Sequence, residues 1–336
     1  MADIYFLSDA SLDALVPGLT QAGLSVMGPK LAGERVDIAP LSQPGDLATR
    51  AFQSVISAKG VAFPKVERLV RYQQEGKNVS LEDVEPAMPE TVLLGVRPCE
   101  ARAFGALSAV FNWDSRDKFF NTRMQKTTVV SIACTQADES CFCTSLGSKP
   151  DDSQGSDILL HPLRTGGFLA DVLTDKGRAL VAKNQTSFQA TPSDLAKVPT
   201  ATVAKTFDAK DLEQKLKGKF DSPLWLEQSL RCLGCGACAF VCPTCVCFDI
   251  QDEGSPAQGE RLRNWDSCGM RLFTLHASGH NPRDKQSQRW RQRVYHKFAY
   301  YPDRWNMLGC VGCGKCSRAC PVDMNIKEHL TQAAQG

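Results

Sequence analysis

Short apolar runs alternate with a helical stretch in the first half of the chain. The runs 91–96 (TVLLGV) and 127–134 (TTVVSIAC) are rich in β-branched and apolar residues, which is typical of buried strands. Residues 100–111 between them (EARAFGALSAVF) have helical character. A strand, a helix and a strand in this order predict a βαβ unit, so we expect an α/β domain. Further along, DILLHPL and GFLADVLT are compatible with a hairpin.

The pattern changes after residue 182. Residues 183–220 are polar, rich in lysine and interrupted by proline, which predicts a loosely packed connection ending in a short amphipathic helix. The stretch DSPLWLEQSL then predicts a new helix, with Ser222 as its N-cap and Pro223 at the first helical position. We expect an α/β domain over 1–182, a linker over 183–220 and a second domain over 221–336.

Composition argues against nucleic-acid and membrane binding and favours metal binding. With 43% hydrophobic residues, 23% charged residues and a net charge of +2, the chain gives no general reason to expect nucleic-acid or membrane binding. No apolar run approaches the roughly 18 residues of a membrane span, so we expect a soluble, cytoplasmic protein. The outlier is cysteine, with 15 residues. In a long chain without a secretion signal, cysteine runs favour metal binding over disulfides.

Two copies of one cysteine motif lie in the second half of the chain. They are Cys232-x2-Cys235-x2-Cys238-x3-Cys242-Pro and Cys310-x2-Cys313-x2-Cys316-x3-Cys320-Pro. This is the spacing of bacterial ferredoxins, in which three cysteines bind one [4Fe–4S] cluster and the fourth binds the other. The expected ligand sets are site 1 (Cys232, Cys235, Cys238, Cys320) and site 2 (Cys310, Cys313, Cys316, Cys242). Structural zinc instead favours two separated pairs.

The two motifs are unusually far apart. The 67 residues between Cys242 and Cys310 exceed what a compact two-cluster ferredoxin contains. We therefore expect an α-helical ferredoxin-like domain, in which each motif lies between helices.

Four cysteines of the first domain form a third candidate set, site 3: Cys99, Cys134, Cys141 and Cys143. Cys99 follows the first predicted strand and begins a helix, where the helix dipole favours a thiolate. Cys134 ends the next strand, so in a parallel sheet both thiols reach the same edge. A third iron–sulfur cluster is the preferred interpretation, and zinc or buried structural thiols are the alternatives.

Three cysteines remain in the second domain: Cys245, Cys247 and Cys268. They could hold a further cluster, with His276 or His280 as a fourth ligand. Free cysteine also behaves as a small hydrophobic residue, so packing around the two motifs is the alternative.

Residues 261–304 carry ten Arg or Lys against three Asp. Such a stretch can offset the negative charge of thiolate-ligated clusters, dock an acidic partner, or form a solvated helix face. Nucleic-acid binding is also compatible with its interleaved aromatic residues, but we do not expect it.

Several segments together resemble a known family. CPTCVCFDI, RLRNWDSCGM, GHNPRDKQSQRWRQRVYHKF and CVGCGKCSRACP, with GVRPCEARAF and CFCTSLGSKP in the first domain, are similar to the 4Fe-4S dicluster family. That family includes the corresponding electron-transfer component of anaerobic sulfite reductase and the beta subunit of sulfhydrogenase, a nickel–iron hydrogenase. The resemblance implies an electron-transfer subunit between a flavin-containing reductase subunit, linked to NAD(P)H or ferredoxin, and a sulfite reductase or hydrogenase subunit. Family members also share the site 3 cysteines.

No Ser-His-Asp arrangement, zinc-hydrolase motif or G-x-G-x-x-G fingerprint is present. We therefore expect no catalytic residues and no bond chemistry by this chain alone, only the relay of single electrons. The alternatives are an autonomous reductase with substrate at site 3 and a zinc-stabilised scaffold without redox activity.

Overall fold

The computed structural model describes residues 3–84, 88–192 and 195–335. In its N-terminal part, strands and helices alternate. The strands are β1 (Asp3–Leu7), β2 (Ser25–Ala32), β3 (Arg35–Pro40), β4 (Val66–Glu75), β5 (Asn78–Asp83), β6 (Thr91–Val96), β7 (Thr127–Ile132), β8 (Ile158–Pro162), β9 (Phe168–Val172) and β10 (Gln189–Ala190). The helices are α1 (Asp9–Gln21), α2 (Pro98–Phe111), α3 (Lys118–Lys126) and α4 (Asp175–Lys183).

Eight of these strands form one sheet, in the order β10-β1-β9-β8-β7-β6-β2-β3. Its centre is parallel, with β6 paired to both β2 and β7, and β7 paired to β8. Every residue of β6 is buried, which explains why the sequence of this strand is a continuous apolar run. The predicted β6-α2-β7 unit and the antiparallel β8-β9 hairpin are confirmed, and the N-terminal domain is α/β.

Most of the regular elements in the rest of the described chain are short helices. Its helices are α5 (Ala209–Leu216), α6 (Leu224–Ser229), α7 (Ala237–Phe240), α8 (Gln286–Tyr295), α9 (Tyr301–Trp305), α10 (Lys315–Arg318) and α11 (Ile326–Gln335). A π-helical turn over His296–Tyr300 joins α8 to α9. Helix α6 begins one residue later than predicted, with Pro223 in the cap position and the Ser222 hydroxyl accepting from the Leu224 amide.

The insertion between the two cysteine motifs also contains two strands, β11 (Phe248–Gly254) and β12 (Gln258–Trp265). They join β4 and β5 in a second sheet, in the order β11-β12-β4-β5. This sheet takes two strands from each half of the sequence. We expected each motif to lie between helices, and the sequence did not indicate this hairpin.

The segment between the domains packs closely where it is helical. Leu212 and Leu216 of α5 are fully buried, in a core that also contains Trp225, Tyr295 and Leu330. The predicted amphipathic helix is therefore present at the end of residues 183–220. The expectation of a loose connection is wrong for this helix.

Two buried lysines join the α/β domain to the part of the chain that contains the cysteine motifs. Lys59 donates from Nζ to the carbonyl oxygens of Ala239 and Cys245, at 3.1 and 3.0 Å. In the opposite direction, Lys315 donates to Ser54 and forms a buried ion pair with Glu100 at 3.1 Å. These contacts hold the cysteine motifs against the α/β domain.

Within the part of the chain that the structure describes, no helix combines the length and apolar character needed to cross a bilayer.

Candidate functional site

The site 1 cysteines line one cavity, although they come from both motifs. Cys232, Cys235 and Cys238 lie in and after a loop whose glycines, Gly234 and Gly236, have positive φ. Cys320 of the second motif completes the lining. The Gln286 amide donates to the Cys232 Sγ at 3.0 Å, and the Met324 amide donates to the Cys320 Sγ at 3.2 Å. The structure thus brings together the four thiols that the crossed pattern predicts.

In site 2, Cys242 lies close enough to the second motif for its charge to act on the Cys310 and Cys313 thiols. Burial raises the pKa of the Cys310 thiol to about 11, and the same effect, with the nearby Cys242, raises that of Cys313. The Gly312 amide donates to the Cys310 Sγ at 3.5 Å. A bound metal ion favours the deprotonated thiolate of a cysteine that coordinates it.

The site 3 cysteines also share one cavity. Cys99 lies at the N-terminus of α2, Cys134 follows β7, and Cys141 and Cys143 lie in the next loop. The parallel pairing of β6 and β7 places the first two at one sheet edge, as predicted. Burial raises the pKa of all four thiols, to about 11 for Cys134.

Sites 2 and 3 are in direct contact. Gly312 and Cys313 of the second motif line the site 3 cavity, and the Phe142 amide donates to the Gly312 carbonyl at 2.9 Å. The backbones approach so closely that a Cβ on Gly312 would lie 2.6 Å from the Cys143 nitrogen. Glycine is therefore required here by space as well as by its φ of +67°.

The remaining cysteines of the second domain are Cys245, next to Cys242 of site 2, and Cys247 and Cys268, which are hydrogen-bonded to each other. A hydrogen bond from Cys268 lowers the pKa of the Cys247 thiol to about 6. Cys245 donates to Cys242, and this bond, with the charges of Lys297 and Arg293, lowers the pKa of Cys242. His276 and His280 are exposed on a loop, where their rings are 5.5 Å apart. A further cluster on Cys245, Cys247 and Cys268 stays a prediction.

Three buried cations surround the thiols of site 2. Arg293 and Lys297, from the basic stretch, are 3% and 4% exposed, so they do not belong to a solvated helix face. Lys59 is equally buried, and its Nζ lies 3.9 Å from the centre of the Trp265 ring. Arg293 and Lys297 could be expected near the clusters because they lie in the basic stretch 261–304. Nothing in the sequence around Lys59 indicates that it belongs to the site.

Among the described residues all fifteen cysteines are free, and no three His, Cys, Asp or Glu side chains converge on one point as ligands of a single metal ion would. A cubane takes one cysteine at each of its four irons, so four thiols around a small volume suit it. The four expected thiols of site 1 line one cavity, and the four of site 3 line another.

Comparison with known proteins agrees with this chemistry. Residues 231–324 match the family model of a 4Fe-4S dicluster domain. The chain is 34% identical to sulfhydrogenase 2 subunit beta of Pyrococcus furiosus over 253 residues, which are 73% of this chain and 74% of that protein. The match extends well beyond the two cysteine motifs into the α/β part. The chain belongs to the family of 4Fe-4S dicluster electron-transfer subunits that includes this sulfhydrogenase beta subunit.

Proposed function

We propose that the chain relays single electrons through three iron–sulfur clusters within a cytoplasmic, hydrogenase-type complex. The observation that carries the proposal is the row of cysteine sites, which runs from site 3 through site 2 to site 1. The name of the relative, a sulfhydrogenase subunit, supports the hydrogenase-type partner.

Each site supplies four thiol ligands. We assign [4Fe–4S] clusters to site 1 (Cys232, Cys235, Cys238, Cys320), site 2 (Cys310, Cys313, Cys316, Cys242) and site 3 (Cys99, Cys134, Cys141, Cys143). Clusters of this kind supply one-electron redox chemistry and no bond chemistry. The chain's own contribution is to hold the sites in order, bury them and set the charge around them. The surroundings of sites 1 and 2 are assigned to the helical ferredoxin type, despite the inserted hairpin.

The order of the sites follows from contacts between their loops. Site 3 shares Gly312 and Cys313 with site 2, and Cys316 of site 2 also lines the site 1 cavity. Cys235 of site 1 is the one exposed cysteine of the fifteen, all of which lie in described parts of the chain. We assign site 1 to the end of the relay where electrons leave or enter the chain.

Exposed leucines just before Cys235 in the sequence support a protein partner at that end. Leu226, Leu230 and Leu233 are 59%, 75% and 67% exposed, and Leu233 lines the site 1 cavity together with Cys235. Exposed apolar side chains of this size suit a protein surface that excludes water. We assign this surface to a redox partner protein. The two ends of the relay are assigned to a flavin-containing and to a catalytic subunit.

A reductive titration tests the relay. The purified chain, kept free of oxygen, should take up about three electrons, one for each cluster, and should not turn over sulfite or protons with reduced viologen when its partners are absent. Substrate turnover by the chain alone would favour the autonomous reductase. Copurification with a sirohaem protein would reassign the complex to the sulfite reductase type.

A further inference from the structure

Arg293 contacts a ligand of site 1 and a cysteine that is hydrogen-bonded to a ligand of site 2. Its Nη2 donates to the carbonyl oxygen of Cys238 at 2.8 Å, and its Nη1 donates to the Sγ of Cys245 at 3.4 Å. Cys238 belongs to site 1, and Cys245 is hydrogen-bonded to Cys242 of site 2. One guanidinium group therefore lies between the ligand sets of two sites.

Among the described residues, the charge of Arg293 is balanced by no carboxylate and faces cysteines instead. The side chain is 3% exposed, and among the described residues no carboxylate forms an ion pair with it. Its Nε is also buried without any hydrogen-bond acceptor in the described chain. A buried cation without a negative partner is strongly unfavourable, so the anionic groups that face Arg293 are those of the cysteine sites.

Lys297 provides a comparison, because it contacts one site only. Its Nζ donates to the Sγ of Cys242 at 3.5 Å, to the Thr244 hydroxyl at 2.9 Å and to the Gly309 carbonyl at 2.8 Å. It lies in the π-helical turn, one turn of helix beyond Arg293. The two cations thus approach the motifs from neighbouring positions but differ in how many sites they reach.

We propose that Arg293 is a positioning residue that stabilises the reduced state of both site 1 and site 2, whereas Lys297 does so for site 2 alone. When either site accepts one electron, its negative charge increases by one, and the fixed guanidinium offsets that increase. No bond forms or breaks at Arg293, and no proton moves. The inference rests on the proposed function, since it needs clusters at sites 1 and 2.

The test is an anaerobic redox titration of the whole chain, followed by visible absorbance and electron paramagnetic resonance. We expect Arg293→Gln to make two one-electron steps at least tenfold less favourable, which is about 59 mV toward more negative potential for each. Lys297→Gln should move one step by a similar amount. The control is Arg304→Gln. Arg304 lies in α9 and is exposed, and its guanidinium stacks on the Trp113 ring. This variant should shift the potential of no step.

A second variant separates charge from structure. Arg293→Lys keeps the charge but loses the forked hydrogen bonds, so it should restore most of the potential of both steps. The proposal is overturned if Arg293→Gln titrates like Arg304→Gln with full iron content, or if Arg293→Lys shifts as far as Arg293→Gln. Failure of both Arg293 variants to hold iron would make the residue structural and would also overturn it. Absence of clusters from the unaltered chain would instead refute the proposed function itself.

Discussion

Replacing Gly312 by alanine tests the contact between sites 2 and 3 most sharply. An added Cβ would lie 2.6 Å from the Cys143 nitrogen and 2.7 Å from both the Cys143 Cα and the Phe142 carbonyl carbon. All three are backbone atoms, so no side chain can turn aside to make room. The φ of +67° is also unfavourable for alanine. Either the loop at 142–143 moves away from the second motif or the strain remains in the fold.

The cost can be worked out from these two effects. A left-handed φ at a residue with a Cβ costs roughly 1–2 kcal/mol. Overpacking against atoms that cannot relax adds about 1–3 kcal/mol, so Gly312→Ala should lose roughly 2–5 kcal/mol. The matched control is Gly76→Ala at the tip of the β4-β5 hairpin, where φ is +61° and nothing lies within 4 Å. That variant should lose only the roughly 1–2 kcal/mol of the first effect.

The assay is anaerobic guanidinium denaturation of both variants, followed by tryptophan fluorescence, with iron measured on the folded protein. Gly312→Ala should have the lower midpoint and weaker magnetic coupling between two reduced clusters, because the two loops are pushed apart. Equal midpoints for the two variants, with unchanged coupling, would refute the close contact between sites 2 and 3.

Three further predictions concern the ligands, a buried ion pair and a buried histidine. Cys141→Ser should lower the iron content by about four atoms per chain, while Cys245→Ser should leave it unchanged if only sites 1 to 3 hold clusters. Glu67 is 4% exposed and pairs with Arg123 and Arg263, so Glu67→Gln should cost about 3 kcal/mol in the free energy of unfolding. Glu260→Gln is the control and should cost clearly less, because the partners of Glu260 lie on the surface. Burial lowers the pKa of His329 to about 4 from its usual 6.5, so between these values the unfolded chain binds a proton that the folded chain does not. Stability should therefore fall as pH drops from 6.5 to 5, and His329→Gln should flatten that dependence; an unchanged slope would contradict the assignment.

The elements that the sequence predicted well are those with a strong local pattern. The buried strands β6 and β7 are continuous apolar runs, and the two cysteine motifs have a spacing that few other sites share. From these alone, the α/β domain, the shared sheet edge of Cys99 and Cys134, and the meeting of Cys320 with the first motif could be predicted. The full ligand sets of sites 1 and 2 stay predictions. Each depends on residues close together in the chain or on a repeated motif.

The features that the sequence did not reveal depend on contacts between distant segments. Strand β5 is exposed at every residue, so the alternation of Val79 and Leu81 with polar residues marks no core face. Its sheet forms only when β4 meets β12 almost 200 positions later. The role of Lys59 likewise arises from its contacts with Ala239 and Cys245. The sequence predicted α5 as an amphipathic helix, but it did not indicate that Leu212 and Leu216 pack in one core with Trp225. Local sequence shows which residues of such an element are polar, but it does not show which distant segment packs against the element.

The measurement that tests the central claim most directly is the metal content of the chain purified without oxygen. Iron, acid-labile sulfide and zinc would be counted per chain, and the dithionite-reduced protein would be examined by electron paramagnetic resonance. The account predicts about twelve irons with as much sulfide, four for each of sites 1, 2 and 3, and signals from interacting clusters. About eight irons would remove site 3 from the relay. Zinc without iron would contradict electron transfer altogether.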